Sequence, residues 1–278
     1  MNNAMQLKAI IKNMAKSKNI SAQIILQNYM MERLLERISL SGYKSNFILK
    51  GGFLIAAMIG LDTRATMDMD ATIKGLPVNI ESISSMLQEI CVIKAEDDIT
   101  FLFKGIEEIR ESTSYKGFRV TLEAVYPPMT VPLKIDITSG DAITPKEITY
   151  EFKLLFEQRS IKVLTYNMET IIAEKLETVI SRGDQNTRPR DYYDIYIIHR
   201  LQWQNVDRIT LKSALRETCQ SRGTLDIIKR YEEIIETVQT SDAMNKFWKD
   251  YQNQFDYAKD IKFKDVCRVV KLILDDIL

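Results

Sequence analysis

Two closely spaced aspartates, Asp68 and Asp70, are the residues of this sequence best suited to chemistry. Side chains of a β-strand alternate between its two faces, so a strand here would place both carboxylates and Thr66 on one face. Paired carboxylates present the hard oxygen ligands that Mg²⁺ prefers. Strand faces in contact with solvent also carry acids, so this spacing is not diagnostic by itself.

The preceding stretch predicts the elements that would position these acids. The apolar run Phe47-Ile48-Leu49 predicts a buried strand, and the apolar residues 53–59 predict a helix. Between them, Gly51-Gly52 permits a tight turn with free N–H groups at the helix start, which suits a phosphate. The order of strand, Gly-Gly, helix and acidic strand is more specific than any of its parts.

A third carboxylate, Asp136, lies within residues 131–138, where polar and apolar side chains alternate as in a strand. An acid in an otherwise apolar strand costs free energy unless a cation or hydrogen bonds compensate for its burial. The strand alone leaves two alternatives open, a metal ligand and an edge-strand acid that faces solvent.

Two charged residues on predicted helices complete the candidates. Lys175 falls on the apolar stripe of a helix that begins near Asn167, where a lysine either extends to solvent or contacts an anion. Asp191 opens a further helix, and an acid in a first helical turn also suits the helix dipole. Glu177 points away from the apolar stripe of its helix and is predicted to be solvated. Asp194 lies on the inner face of the next helix and is predicted to be structural.

Composition favours a soluble globular protein from a reducing, cytoplasmic compartment. The 278 residues are 45% hydrophobic and 27% charged, and the formal net charge is zero. No apolar run approaches the roughly 20 residues that span a bilayer, which predicts no membrane association, and the N-terminus lacks a signal-peptide pattern. The three cysteines are widely spaced, which argues against a disulfide framework and a thiolate zinc site. The single His199 argues against a histidine base.

The pattern of elements predicts an α/β (α+β) fold in two domains. Residues 1–165 would hold N-terminal helices and a mixed-sheet core, and residues 166–278 a helical lobe that completes an active site in a groove between them. Helices are predicted within 4–38 (with Ser21 as an N-cap), 79–93, 206–220, 224–238, 241–257 and 264–275, and strands at 99–104, 117–126, 131–138, 150–156 and 160–164.

Four stretches of the chain, within residues 45–200, resemble the motifs of the nucleotidyltransferase (DNA polymerase β-like) superfamily and in particular of the AbiEii toxin family. They are Gly51-Gly52, Arg64-x-Thr66-x-Asp68-x-Asp70, the helix Glu169-Thr-Ile-Ile-Ala-Glu-Lys175-Leu-Glu177, and Arg190-Asp191-Tyr-Tyr-Asp194. Gly52 stands where the superfamily often has serine, so backbone amides would have to replace the missing hydroxyl.

The resemblance implies a role for each candidate. Asp68, Asp70 and Asp136 would be catalytic ligands of Mg²⁺. The amides of Gly51 and Gly52, together with Lys175, Arg64 and Thr66, would bind the nucleotide, with Arg64 either orienting the acidic segment or contacting phosphate. Asp191 would be an essential acid that positions Lys175 or acts as a base.

The implied function is that of a bacterial abortive-infection toxin, active in phage defence and bacteriostatic when free. Its partners would be an NTP (GTP or a pyrimidine NTP), a tRNA 3′ end as acceptor, and a separately encoded antitoxin that forms no stable complex. Two alternatives remain, a GTP-binding regulator without transfer and a transferase that modifies a protein or small molecule. The locally basic stretch 188–230 is either an RNA-facing surface or an ordinary charged helix face.

Overall fold

The computed structural model describes residues 4–110 and 116–278 and divides the chain into two compact units. The first unit contains the described residues up to 140 together with 148–165, and the second contains 141–147 and 166–278. The segment 141–147 therefore belongs with the C-terminal helices, although the sequence placed it in the N-terminal domain. The predicted α/β class is confirmed, since a mixed sheet and helices make up the described residues.

The first unit is built on a mixed sheet that has seven strands in the described residues. The strand order is β3-β4-β5-β2-β1-β7-β6, in which β2 runs parallel to β5 and β1 parallel to β7. The strands are β1 (Phe47–Lys50), β2 (Met69–Ile73), β3 (Thr100–Arg110), β4 (Lys116–Tyr126), β5 (Met129–Thr138), β6 (Ile148–Lys153) and β7 (Ser160–Thr165).

Four helices of this unit are described, α1 (Ala4–Lys18), α2 (Ala22–Leu40), α3 (Gly51–Ile59) and α4 (Ile80–Cys91). Helix α2 begins where the sequence predicts it, because the Ser21 hydroxyl accepts a hydrogen bond from the Gln23 N–H. Helix α4 begins in the same way, with the Asn79 side chain accepting from the Ser82 N–H at 2.8 Å. Side-chain caps of this kind fix where the apolar faces of the helices start.

Apart from the segment 141–147 and the connecting turns, the described residues of the second unit form helices. Its helices are α5 (Met168–Arg182), α6 (Pro189–Gln202), α7 (Arg208–Arg222), α8 (Leu225–Ile228), α9 (Tyr231–Thr240), α10 (Asp242–Gln254) and α11 (Phe263–Ile277). Asn167 caps α5 by accepting from the Thr170 N–H at 2.8 Å. Buried aromatic rings fill the space between α6, α10 and α11, including Tyr192, Tyr193 and Trp248.

Three sequence predictions were wrong in detail. Strand β2 begins only at Met69, so Thr66 and Asp68 precede it and their position does not follow from strand alternation. The helix predicted over 224–238 is interrupted, and α8 and α9 are separate. Glu177 is buried rather than solvated, because the Arg222 guanidinium on α7 lies 2.5 Å from its carboxylate.

Helix α2 carries a buried network of charged side chains. Arg33 contacts Glu32 at 2.6 Å, Glu36 at 3.0 Å and Glu157 at 2.7 Å, and it is 1% exposed. Glu32 also accepts a hydrogen bond from the Leu155 N–H at 2.6 Å, which ties α2 to the chain between β6 and β7. Burial disfavours the charged form of Glu32 more than Arg33 and the Leu155 N–H stabilise it. The pKa of Glu32 is therefore raised to about 7.

This raised pKa predicts a loss of stability as the pH rises. The unfolded chain releases the Glu32 proton near the ordinary value of 4.5, whereas the folded chain keeps it to about pH 7. We expect Glu32→Gln to gain roughly 1–3 kcal/mol in free energy of unfolding relative to wild type between these two pH values. Chemical denaturation at several pH values measures this difference.

Glu157→Gln is the matched control, because Glu157 contacts the same arginine but has the opposite shift. Although burial alone would raise the pKa of Glu157, the side chains of Arg159 and Arg33 lower it. Its stabilising contribution is therefore present at neutral pH and lost on acidification. If the free energies of unfolding of Glu32→Gln and Glu157→Gln changed with pH in the same way, the opposite pKa shifts of the two residues would be contradicted.

The turn from β1 into α3 depends on a glycine. Gly51 has a φ of +70°, and a Cβ added there would lie 2.0 Å from Oδ2 of Asp70. Residues with a side chain rarely adopt this φ, and the Asp70 carboxylate already occupies the position that a Cβ of residue 51 would take. Gly51 thus allows Asp70 to lie directly against the start of α3.

We expect Gly51→Ala to cost at least about 1–3 kcal/mol of stability, because it combines an unfavourable φ with a steric conflict at Asp70. Gly42→Ala is the control, since no heavy atom lies within 4 Å of a Cβ added there. Free energies of unfolding from chemical denaturation compare the two variants. Equal stability of Gly51→Ala and Gly42→Ala would refute the close approach of Asp70.

Candidate active site

A row of charged residues crosses the sheet at the level of the acidic motif. Strand register pairs Lys50 with Asp70, Asp70 with Asp136, and Asp136 with Arg119, while Glu107 is the partner of Arg119 on β3. Residues paired across neighbouring strands project to the same face of a sheet. The fold therefore brings Asp70 and Asp136 together as neighbours, although 65 residues of sequence lie between them.

The cation that compensates Asp136 is Arg119. Its Nε lies 2.8 Å from Oδ1 and its Nη2 lies 2.7 Å from Oδ2, so the guanidinium occupies both carboxylate oxygens. Hydrogen bonding to Asp136 and the negative charge of this residue raise the pKa of Arg119. Strand β5 lies between β4 and β2, which rules out the alternative of an edge-strand acid.

Lys50 ends β1 beside the two glycines and is largely buried. Its Nζ donates to Oγ1 of Thr138 at 2.7 Å. A cation here, opposite Asp70 in the register, reduces the repulsion between neighbouring carboxylates in the row. Neither Lys50 nor Arg119 was identified as a site residue from the sequence. Both are oppositely charged neighbours of the aspartates on adjacent strands, but this pairing can be recognised only when the strand register is known.

The segment that carries Thr66 and Asp68 is held by side chains of α2. The Asn28 amide donates to the Thr66 carbonyl at 2.7 Å, and the Gln27 amide donates to the Met67 carbonyl at 3.2 Å and to the Pro132 carbonyl at 2.8 Å. These bonds replace a strand ladder in fixing the backbone before β2. Asp68 itself is exposed.

Arg64 lies buried beneath the same segment. It is 5% exposed and donates to the carbonyl of Ala65. A Cβ added at Gly52 would lie 3.0 Å from Nη2 of Arg64 and 3.1 Å from Oγ1 of Thr66. The absence of a side chain at Gly52 thus leaves room for both groups, and the burial of Arg64 favours its role in orienting the acidic segment.

The second unit holds a compact triad around Lys175. Its Nζ lies 2.8 Å from Oδ1 of Asp191 and 2.7 Å from Oδ2 of Asp194. The two aspartates are three residues apart and therefore share a face of α6. Lys175 contacts anions instead of extending to solvent, and Asp194 contacts it as closely as Asp191 does.

The predicted site residues thus form two groups. Asp68, Asp70 and Asp136 belong to the first unit with Gly51, Gly52, Arg64 and Thr66, whereas Lys175 and Asp191 belong to the second. Their joint action in one active site stays a prediction.

The donor chemistry of the first group suits a divalent cation only in part. Asp68 and Asp70 offer carboxylate oxygens of the kind that Mg²⁺ prefers, but Asp136 is engaged by Arg119 at both oxygens. Within residues 4–110 and 116–278, no three His, Cys, Asp or Glu side chains are grouped so that they could hold a metal ion. The carboxylates of Asp68 and Asp70 are therefore the candidate cation ligands, and a three-carboxylate site requires Arg119 to release Asp136.

None of the described helices is long and apolar enough to cross a membrane. All three cysteines are buried and carry free thiols.

Two solved structures from Helicobacter pylori are similar to this chain. One is a putative nucleotidyltransferase with 14% identity and a TM-score of 0.52, and the match covers 93% of this chain and 96% of that one. The other, JHP933, has 15% identity and a TM-score of 0.50 and covers 92% of each chain. At such low identity these similarities show a shared fold.

No curated protein matches the sequence. The family model described as "Nucleotidyl transferase AbiEii toxin, Type IV TA system" matches residues 33–269, which include every candidate site residue. The chain belongs to the AbiEii family of nucleotidyltransferase toxins from type IV toxin–antitoxin systems.

Proposed function

We propose that this protein transfers a nucleoside monophosphate from an NTP to the 3′ end of a tRNA, with Mg²⁺ as cofactor. The observation that carries the proposal is the placement of Asp70 beside Asp136 on parallel strands and against Gly51 at the start of α3. The helix start offers amides to phosphate, and the carboxylates offer ligands to the cation.

In the proposed reaction an acceptor hydroxyl oxygen forms a bond to the α-phosphorus of the NTP. The bond between the α-phosphorus and the bridging oxygen breaks, and pyrophosphate leaves. Asp68 and Asp70 would hold the cation, which when bound supplies positive charge to the phosphates. Asp136, once free of Arg119, would accept the proton of the acceptor hydroxyl.

The remaining candidates would bind the negatively charged phosphates. The amides of Gly51 and Gly52 would contact the phosphate chain, and Lys175 would neutralise the charge that develops on pyrophosphate. Asp191 and Asp194 hold Lys175 between them, which supports a positioning role for Asp191. GTP and the pyrimidine NTPs are the proposed donors, and the antitoxin is proposed to act without a stable complex.

We expect Asp70→Asn to lower nucleotide transfer by at least about 100-fold, because one of the two carboxylates proposed to hold the cation is lost. The purified protein is incubated with Mg²⁺, total bacterial RNA and each NTP in turn, labelled at the α-phosphate, and the RNA is separated on a denaturing gel. Wild type should label a band of tRNA size.

Asp226→Asn is the control, since the side chain of Asp226 on α8 is 93% exposed. It should label RNA as wild type does. Full transfer by Asp70→Asn would refute the assignment. Binding of GTP without labelled product from any NTP would favour the alternative of a nucleotide-binding regulator, and labelling of protein or a small molecule would replace the tRNA acceptor.

The ion pair between Arg119 and Asp136 gives a second prediction, which concerns cation binding. If Asp136 joins Asp68 and Asp70 as a ligand, it must leave the guanidinium that holds both its oxygens. Arg119→Gln should therefore bind Mn²⁺ more tightly than wild type by several-fold, as measured by isothermal titration calorimetry without nucleotide.

Two further variants distinguish ligation of Mn²⁺ by Asp136 from a general effect of the local charge on Mn²⁺ affinity. Asp136→Asn in the Arg119→Gln background should abolish the gain in Mn²⁺ affinity. Glu107→Gln, which removes a negative charge from the outer end of the same row, should leave the affinity close to wild type. An unchanged affinity in Arg119→Gln would show that Asp136 is not a cation ligand.

A further inference from the structure

The turn between α5 and α6 carries three arginines that form no ion pair within residues 4–110 and 116–278. Arg182 ends α5, Arg188 directly precedes α6, and Arg190 lies in the first turn of α6. None of the three side chains has a hydrogen bond or an ion pair among the residues that the structure describes. Arg222 in the same unit is different, since Glu174 and Glu177 neutralise it at 3.2 Å and 2.5 Å.

Helical geometry places Arg182 on the side of α5 that faces α6. Arg182 follows Lys175 by seven residues, two helical turns, so the two side chains share a face. Lys175 contacts Asp191 and Asp194 on α6, and the Tyr192 hydroxyl donates to the Val179 carbonyl at 3.4 Å. The two helices therefore run side by side toward the turn, where Arg182 and Arg188 come together.

The charges around Arg182 compensate its burial only in part. Burial and the charge of Arg188 lower the pKa of Arg182, and the opposing attraction of Asp191 is weaker. Asp191 is already paired with Lys175 at 2.8 Å. Two guanidinium groups held close together without a counterion repel each other, and a bound anion would relieve that repulsion.

Asn186, between the two arginines, provides an independent observation. Its side chain is 0% exposed, and its Oδ1 accepts a hydrogen bond from the Arg188 N–H at 2.8 Å. Its Nδ2 is buried and has no hydrogen-bond partner in the described residues. A buried donor without an acceptor costs about 1–3 kcal/mol, so such a group calls for an acceptor that is not part of the chain.

We propose that Arg182, Asn186 and Arg188 form a binding site for a phosphate group. Phosphate oxygens accept bidentate hydrogen bonds from guanidinium groups and a single bond from an amide N–H. The start of α6, a helix of fourteen residues, adds the positive end of its dipole. Two sources share this chemistry, the phosphate chain of an NTP and the backbone of single-stranded RNA.

The site is tested by binding to the full chain in EDTA, where transfer does not occur. The probes are inorganic tripolyphosphate, measured by calorimetry, and a fluorescent single-stranded RNA of about 12 nucleotides, measured by anisotropy. We expect Arg188→Gln and Arg182→Gln to weaken binding about 10-fold. For RNA, the slope of log affinity against log salt should also fall by about one unit.

Arg216→Gln is the matched control, because Arg216 is an exposed arginine of the same unit on α7. It removes the same charge away from the turn and should bind both probes as wild type does. Arg188 is itself exposed, so its substitution tests the site even if Arg182→Gln is poorly folded.

Weaker binding of tripolyphosphate alone would identify the NTP as the source of the phosphate, and weaker binding of RNA alone would identify the RNA backbone. Unchanged binding of both probes in Arg188→Gln, or an equal loss in Arg216→Gln, would overturn the proposal. The outcome is separate from the proposed transfer reaction, because both affinities are measured in EDTA, where no transfer takes place.

Discussion

The carboxylate of Asp70 occupies the space in which any side chain at residue 51 would begin. This close approach determines how β1, α3 and β2 are arranged, since the chain must pass through a φ of +70° to start α3 beside a neighbouring strand. Once Asp70 is fixed there, the parallel register places Asp136 next to it. The candidate site of the first unit thus follows from one glycine and one strand register.

The same arrangement creates an electrostatic cost that the sheet itself offsets. Two neighbouring carboxylates would repel each other, and the row supplies Lys50 on one side of the pair and Arg119 on the other. The bidentate contact of Arg119 makes Asp136 stable in the absence of a cation. A cation that took Asp136 as a ligand would compete with Arg119 for the same oxygens, so its binding would depend on the position of that one side chain.

The second unit contrasts with this balance. Lys175 contacts two carboxylates, whereas the arginines of the α5–α6 turn form no ion pair with any residue that the structure describes. Along α5 and α6, the cation that carboxylates neutralise is therefore Lys175, and the arginines that lack an ion pair within the described residues lie at the turn between the two helices. A phosphate at the turn would complete the compensation.

The sequence by itself determined the class of fold, most of the elements and the family, because apolar periodicity, capping residues and the Arg64-to-Asp70 motif are local patterns. Register, burial and pairing were decided only by the tertiary structure. Arg119 and Asp136 are partners because β4 lies beside β5, and Glu177 is buried because α7 brings Arg222 onto it. Contacts between residues distant in sequence depend on how elements pack, and one sequence contains no local signal of that packing.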